Sequence, residues 1–181
     1  MVVEQTPVSD LLVITPRVFT DERGSFYESF NHKRFEEAAG MKVEFVQDNE
    51  SISHKGVLRG LHFQLPPMAQ GKLVHVVRGS VLDVAVDLRK NSPDYGKYFS
   101  VLLSGENKKQ FWIPAGFAHG FLSLEPDTIF AYKCTNYYAP ETECTLRWND
   151  PDLGIDWGIS EPLISTKDAD SLLFRNFDSP F

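Results

Sequence analysis

The chain has 181 residues, 42% of them hydrophobic and 24% charged, an ordinary globular composition. That length lets one domain bury a core without disulfides or a structural metal. A formal net charge of −7 argues against general binding to nucleic acid or an anionic membrane, both of which need a basic field; a few local Arg and Lys residues can still hold one small anion. No apolar run approaches the ~20 residues of a membrane span, and Met1-Val-Val-Glu-Gln-Thr-Pro7 shows no signal-peptide pattern, so the cytoplasm is the expected compartment. Cys134 and Cys144 lie outside any C-x-x-C arrangement and are read as small fillers of strands.

Taken in chain order, the predicted elements are mostly strands. Residues 11–15 and 25–30 read as strands, Asn31 caps a short helix over 32–39 that Gly40 closes, and 43–48 reads as a further strand. Residues 72–78 form the next, and Gly79-Ser80 reads as a tight hairpin turn into 80–88. In that segment Leu82, Val84, Val86 and Leu88 share one face while Asp83 and Asp87 share the other with Val81 and Ala85, as in a half-buried strand. Strands follow at 98–104, 110–113, 121–124, 128–133 and 143–148, with a second short helix near Ser165. Many short strands broken by Gly, Pro and Asn, with no repeat or linker, predict one all-β domain over 1–181, a sandwich or barrel.

Five histidines occur. His75 alternates within an apolar strand and is read as packed, and His32 and His54 lie in polar surroundings and are read as surface residues. Glycine and proline frame the other two, in Gly56-Val-Leu-Arg-Gly-Leu-His62-Phe-Gln64 and Pro114-Ala-Gly116-Phe-Ala-His119-Gly120. These segments resemble the two motifs of the cupin superfamily, which implies a jelly-roll β-barrel. The metal-binding pattern is broken, however. Gln64 stands where a second His is usual, and Lys72, with six residues between it and Gly79, stands near the place of the metal-ligating Glu. An ammonium has no lone pair for a metal, and two histidines fall short of the usual three protein ligands, so no metal is expected. Histidine with Lys and Arg suits proton abstraction from carbon with a cation holding the enolate. Spacing alone leaves satisfied structural histidines as the simpler alternative.

Finer motifs narrow the choice. Val57-Leu-Arg-Gly-Leu-His-Phe-Gln64, Gln70-Gly-Lys-Leu-Val74, Pro114-Ala-Gly-Phe-Ala-His-Gly-Phe121, Tyr132-Lys-Cys-Thr-Asn-Tyr-Tyr138 and Ser165-Thr-Lys-Asp168 together resemble the dTDP-4-dehydrorhamnose 3,5-epimerases, as do Asp21-Glu-Arg-Gly24 and Phe45-Val-Gln-Asp-Asn49. The resemblance runs from about residue 10 to residue 170. It implies His62 as general base, Asp168 as the carboxylate that orients it, Tyr132 as the acid on the opposite sugar face and Lys72 as the enolate-stabilising cation. It further implies substrate contacts from Arg23, Phe26, Glu28, Gln47, Asp48, Asn49, Arg59, His119, Glu143 and Lys167, with Tyr138 stacking on the thymine. Without the resemblance, Ser165-x-x-Asp168 reads as a helix capping box and Tyr132 as a barrel-wall aromatic. The family also implies a homodimer whose N-terminal segment, with Arg23 and Phe26, reaches the partner's site. No Gly-x-Gly-x-x-Gly fingerprint is present, and no cofactor is expected. Two alternatives share most of these residues: a mono-epimerase, and a cupin that binds a nucleotide sugar without turnover.

Overall fold

The alternating apolar runs pair into antiparallel ladders in the computed structural model, which describes residues 1–181. The strands are β1 (Val2–Gln5), β2 (Leu12–Thr15), β3 (Val18–Asp21), β4 (Gly24–Tyr27), β5 (Gln47–Ser53), β6 (Leu58–Gln64), β7 (Lys72–Arg78), β8 (Ser80–Asp87), β9 (Tyr98–Ser104), β10 (Gln110–Ile113), β11 (Phe117–Ser123), β12 (Thr128–Cys134) and β13 (Glu143–Thr145). Two short helices, α1 (His32–Ala39) and α2 (Thr166–Ala169), accompany them. One sheet has the order β1-β2-β10-β7-β12-β5 and the other β13-β6-β11-β8-β9; β3 and β4 pair only with each other. The two larger sheets face one another as a cupin-type jelly roll. Between them lies a core that draws Val74, Val76, Phe111 and Phe130 from one sheet and Val81, Ala85, Leu103 and Phe121 from the other. Phe130 is fully buried and stacks on Phe121 at 4.1 Å. Burying a side chain of that size stabilises the fold by about 1.5–3 kcal/mol.

Both sheets are also covered outside. The C-terminal segment lays Leu153, Trp157, Phe174 and Phe177 against Leu58, Val84, Val86 and Leu122 of the five-stranded sheet. Helix α1 sets Phe35 against Leu12, Ile14, Leu73 and Trp112 of the six-stranded one. Its Asn31 side chain accepts from the Arg34 N–H, and Gly40 ends it at φ 68°, as the sequence predicts. With the C-terminal segment in place, β8 is buried on both faces rather than half-buried, and Asp83 and Asp87 are fully enclosed.

Other expectations need correction. Gly79 is not a hairpin turn, because β7 and β8 belong to different sheets. It is the corner where the chain crosses between them, at φ 80°, so close to Thr128 that a Cβ would lie 2.4 Å from its Oγ1. The strand expected over 43–48 lies later, at Gln47–Ser53, because Val43 and Phe45 alternate to meet the α1 cluster rather than a sheet partner. The strands expected over 25–30 and 143–148 stop at Tyr27 and Thr145, whereas that at 121–124 starts earlier, at Phe117.

Candidate active site

The site forms at the mouth of the barrel, where β5, β7 and β12 of one sheet face β6 and β13 of the other. There a cleft of about 300 Å³ is lined by Gln47, Asn49, His62, Phe63, Gln64, Gln70, Lys72, Tyr132, Tyr138 and Glu143. A second cleft of about 300 Å³ shares His62 and Glu143 and adds Arg59, Ser165, Lys167 and Asp168. His62 and Glu143 thus form the wall common to both.

Local backbone explains how His62 arrives there. Gly60 (φ 140°) lies so near β11 that a Cβ on it would sit 2.5 Å from the Gly120 Cα. The two glycines let β6 and β11 approach at a bulge, with His62 directly opposite His119 in register. Behind His62, the Asp168 carboxylate lies 2.6 Å from its Nε2. Asp168 is only 3% exposed. Burial raises its pKa, but the His62 hydrogen bond and charge, with bonds from Ser165 and the Gly60 backbone, outweigh that and hold it below its ordinary value. An ionised Asp168 puts the proton on His62 Nε2 and leaves the lone pair on Nδ1, the arrangement of a general base. Ser165 accepts from the Asp168 N–H at 3.1 Å, so the helix cap and the dyad coexist: the cap uses the residue's backbone and the dyad its side chain.

Tyr132 lines the cleft from β12, opposite Asn49 in register. Burial, aided by Cys134 and Glu143 and opposed by Arg59, raises its phenol, which therefore stays protonated at neutral pH. Lys72, at the start of β7, makes no ion pair within 4 Å; burial lowers its pKa, opposed by Cys134, Asp83 and Glu143 at longer range. A half-buried lysine with no ion-pair partner, beside a base and an acid, can receive an anion that forms during reaction. At the outer rim Glu143 accepts from the Tyr138 hydroxyl at 2.7 Å and pairs with Lys167. Burial raises Glu143, but those two partners outweigh it and hold it low.

The family model described as dTDP-4-dehydrorhamnose 3,5-epimerase matches residues 5–176. A curated protein of that name from Shigella flexneri is 55% identical over 178 residues, 98% of each chain. The chain belongs to the dTDP-4-dehydrorhamnose 3,5-epimerase family. Among solved structures, a Legionella pneumophila dTDP-6-deoxy-D-glucose-3,5-epimerase in complex with dTDP-4-keto-L-rhamnose superimposes with TM-score 0.93 at 53% identity, covering 97% of this chain and 94% of that one. A 3′-monoepimerase from Streptomyces bikiniensis, in complex with dTDP-quinovose, follows at TM-score 0.88 and 36% identity, covering 93% and 85%.

Against the family's expected residues, the structure brings together His62, Tyr132, Asp168, Lys72, Gln47, Asn49, Arg59, Tyr138, Glu143 and Lys167 along the paired clefts. His119 stands behind them, buried, its Nε2 3.0 Å from both Asp83 oxygens. Asp48 is a correction: period-two alternation turns it away from the cleft that Gln47 and Asn49 line, and it pairs with Lys133 at 3.0 Å. Arg23, Phe26 and Glu28 also lie outside the clefts of this chain. Arg23 bonds Asp21 in the β3–β4 hairpin, Phe26 is 71% exposed, and Glu28 pairs with Arg34 beside a separate cavity of about 430 Å³. That larger cavity offers no histidine or tyrosine for proton transfer. No group of three His, Cys, Asp or Glu side chains is placed to hold a metal ion.

Sequence reasoning passed over Asp83 as a residue of the polar face, and Ser53, whose hydroxyl accepts from Arg59 Nε at 3.2 Å. A charge alternating with Val81 and Ala85 on a strand buried on both faces was the available signal for Asp83. Ser53 carried none.

Proposed function

We propose that this epimerase inverts C3 and C5 of dTDP-4-dehydro-6-deoxy-D-glucose, giving dTDP-4-dehydro-L-rhamnose. The observation that carries the reading is a single cleft holding a carboxylate-backed histidine, a protonated tyrosine and a half-buried lysine with no ion-pair partner. Both protons are α to the C4 ketone, so their removal requires neither a metal nor a redox cofactor: the carbonyl takes up the electrons as an enolate. His62 removes the proton and Asp168 stabilises the imidazolium that forms. Lys72 holds the enolate oxygen, and Tyr132 returns a proton to the opposite face, so that exchange becomes inversion. Arg59 and Lys167 neutralise the diphosphate, while Tyr138 stacks on the base from the rim. His119 backs the sugar site from its place against Asp83.

The whole of 1–181 serves as one catalytic domain, in a reducing compartment such as the cytoplasm that leaves Cys134 and Cys144 as free thiols. No helix is long and apolar enough to cross a membrane. The active form is a homodimer in which the β3–β4 hairpin lends Arg23 and Phe26, with Glu28 beyond it, to the partner's cleft. Support comes from that hairpin pairing only with itself and exposing Val18, Phe19 and Phe26. A sedimentation mass of one chain would contradict the shared site.

A mono-epimerase is the second reading, favoured only by the likeness to the Streptomyces bikiniensis enzyme. Trapping the product with a stereospecific 4-ketoreductase and reading its configuration separates the two. The L-lyxo sugar is expected; a product inverted at one carbon would move the protein to the mono-epimerases.

A further inference from the structure

Gln64 ends β6 inside the cleft, 4% exposed, and takes no part in the proton chemistry. Its carboxamide makes three hydrogen bonds, all to the backbone of the two loops that frame the cleft. Nε2 donates to the carbonyls of Met68 at 2.6 Å and Tyr137 at 3.1 Å, and Oε1 accepts from the Ala139 N–H at 2.9 Å. Two acceptors and one donor as partners suit a carboxamide. A carboxylate has nothing to donate to the carbonyls, and a neutral imidazole has a single N–H. These bonds bracket Tyr138 on both sides in the chain. From the opposite wall Gln47 Oε1 accepts from the Tyr138 N–H at 2.9 Å. The Tyr138 ring itself is 54% exposed, so its place is set by its backbone and by its hydroxyl bond to Glu143.

We propose that Gln64 is a positioning residue for nucleobase recognition: its bonds to Tyr137 and Ala139, with the third tying it to the Met68 carbonyl, fix the 137–139 turn, so that Tyr138 stands as a preformed wall for the base before substrate arrives. The position that the cupin pattern gives to a histidine is thereby used to order a loop. The inference rests on the reading of Tyr138 as the base-stacking side chain. Preformation matters because ordering one rotamer-rich side chain on binding costs about 0.5–1.5 kcal/mol, and a loosened turn adds its backbone to that cost.

The test is a double-mutant cycle on dTDP affinity and on KM and kcat, using Gln64→Met, Tyr138→Ala and the pair in the full chain. Gln64→Met is expected to raise the Kd for dTDP and the KM about tenfold, with kcat changed less than about threefold. In the Tyr138→Ala background it is expected to cost little more, because the wall it orders is gone. Two results overturn the proposal: unchanged dTDP affinity in Gln64→Met while Tyr138→Ala weakens binding, or losses that multiply in full. Unchanged affinity in Tyr138→Ala removes the base-stacking reading itself and the proposal with it. Should Gln64→Met fail to fold, amide exchange in the free wild-type protein decides. The Ala139 N–H is expected to be protected, and exchange at the rate of an open loop overturns the preformed wall.

Discussion

Replacing Asp168 with Asn removes one charge and keeps the shape. The Ser165 cap on α2 survives, because it uses the backbone N–H of residue 168. What is lost is the attraction between the carboxylate and the imidazolium that His62 becomes when it takes a proton. With the oxygen 2.6 Å from Nε2, the charge centres lie roughly 4 Å apart, worth about 4 kcal/mol at an effective dielectric of ~20. The His62 side chain is 31% exposed, so solvent screening reduces this to about 2–3 kcal/mol. At ~1.4 kcal/mol per decade, kcat/KM is expected to fall about a hundredfold. The assay couples product to a 4-ketoreductase and separates kcat from KM, with dTDP affinity measured alongside. The loss is expected in kcat, with dTDP binding within about twofold of wild type, since no bond to the nucleotide is removed. A fall smaller than about threefold, or one carried wholly by KM, would refute the dyad.

Tyr132→Phe removes the acid and keeps the ring, so deuterium exchange is expected to continue while net inversion falls about a hundredfold. Equal loss of exchange and inversion would place Tyr132 at the first proton transfer instead. Stability should also depend on pH. Asp168 and Glu143 are both held below their ordinary values of 3.8 and 4.5 in the fold. Their contribution is therefore complete above those values and is lost as pH falls through the lowered ones. The urea midpoint is expected to drop between pH 5 and 3, less steeply in Asp168→Asn; a midpoint that rises on acidification would contradict the sign.

Much of this was legible from the chain because period-two patterning and punctuation by glycine act locally. Asn31 and Gly40 bound α1, and the runs at 72–78, 98–104 and 110–113 are strands with those ends. Strand β6 was recognised as a motif but not as a strand, because Gly60 interrupts it and both its faces are buried. The crossing at Gly79 is a choice between sheets, and the close approach of the distant Thr128 there is recorded by no local pattern. The same holds for the site. Motifs point to His62, Lys72, Tyr132 and Asp168, which the fold gathers at the paired clefts, whereas the Asp83–His119 contact depends on strand register. Asp48 shows the opposite error. It sits between two cleft residues in the chain, and the pleat turns it away.

The central claim is that His62 takes the protons from both carbons. Its most direct test is deuterium incorporation from D2O into dTDP-4-keto-6-deoxyglucose, resolved by position, for wild type and His62→Ala. Wild type is expected to label C3 and C5, and His62→Ala neither carbon above the uncatalysed rate while still binding dTDP. Exchange at either carbon at the wild-type rate in His62→Ala would show that another group is the base.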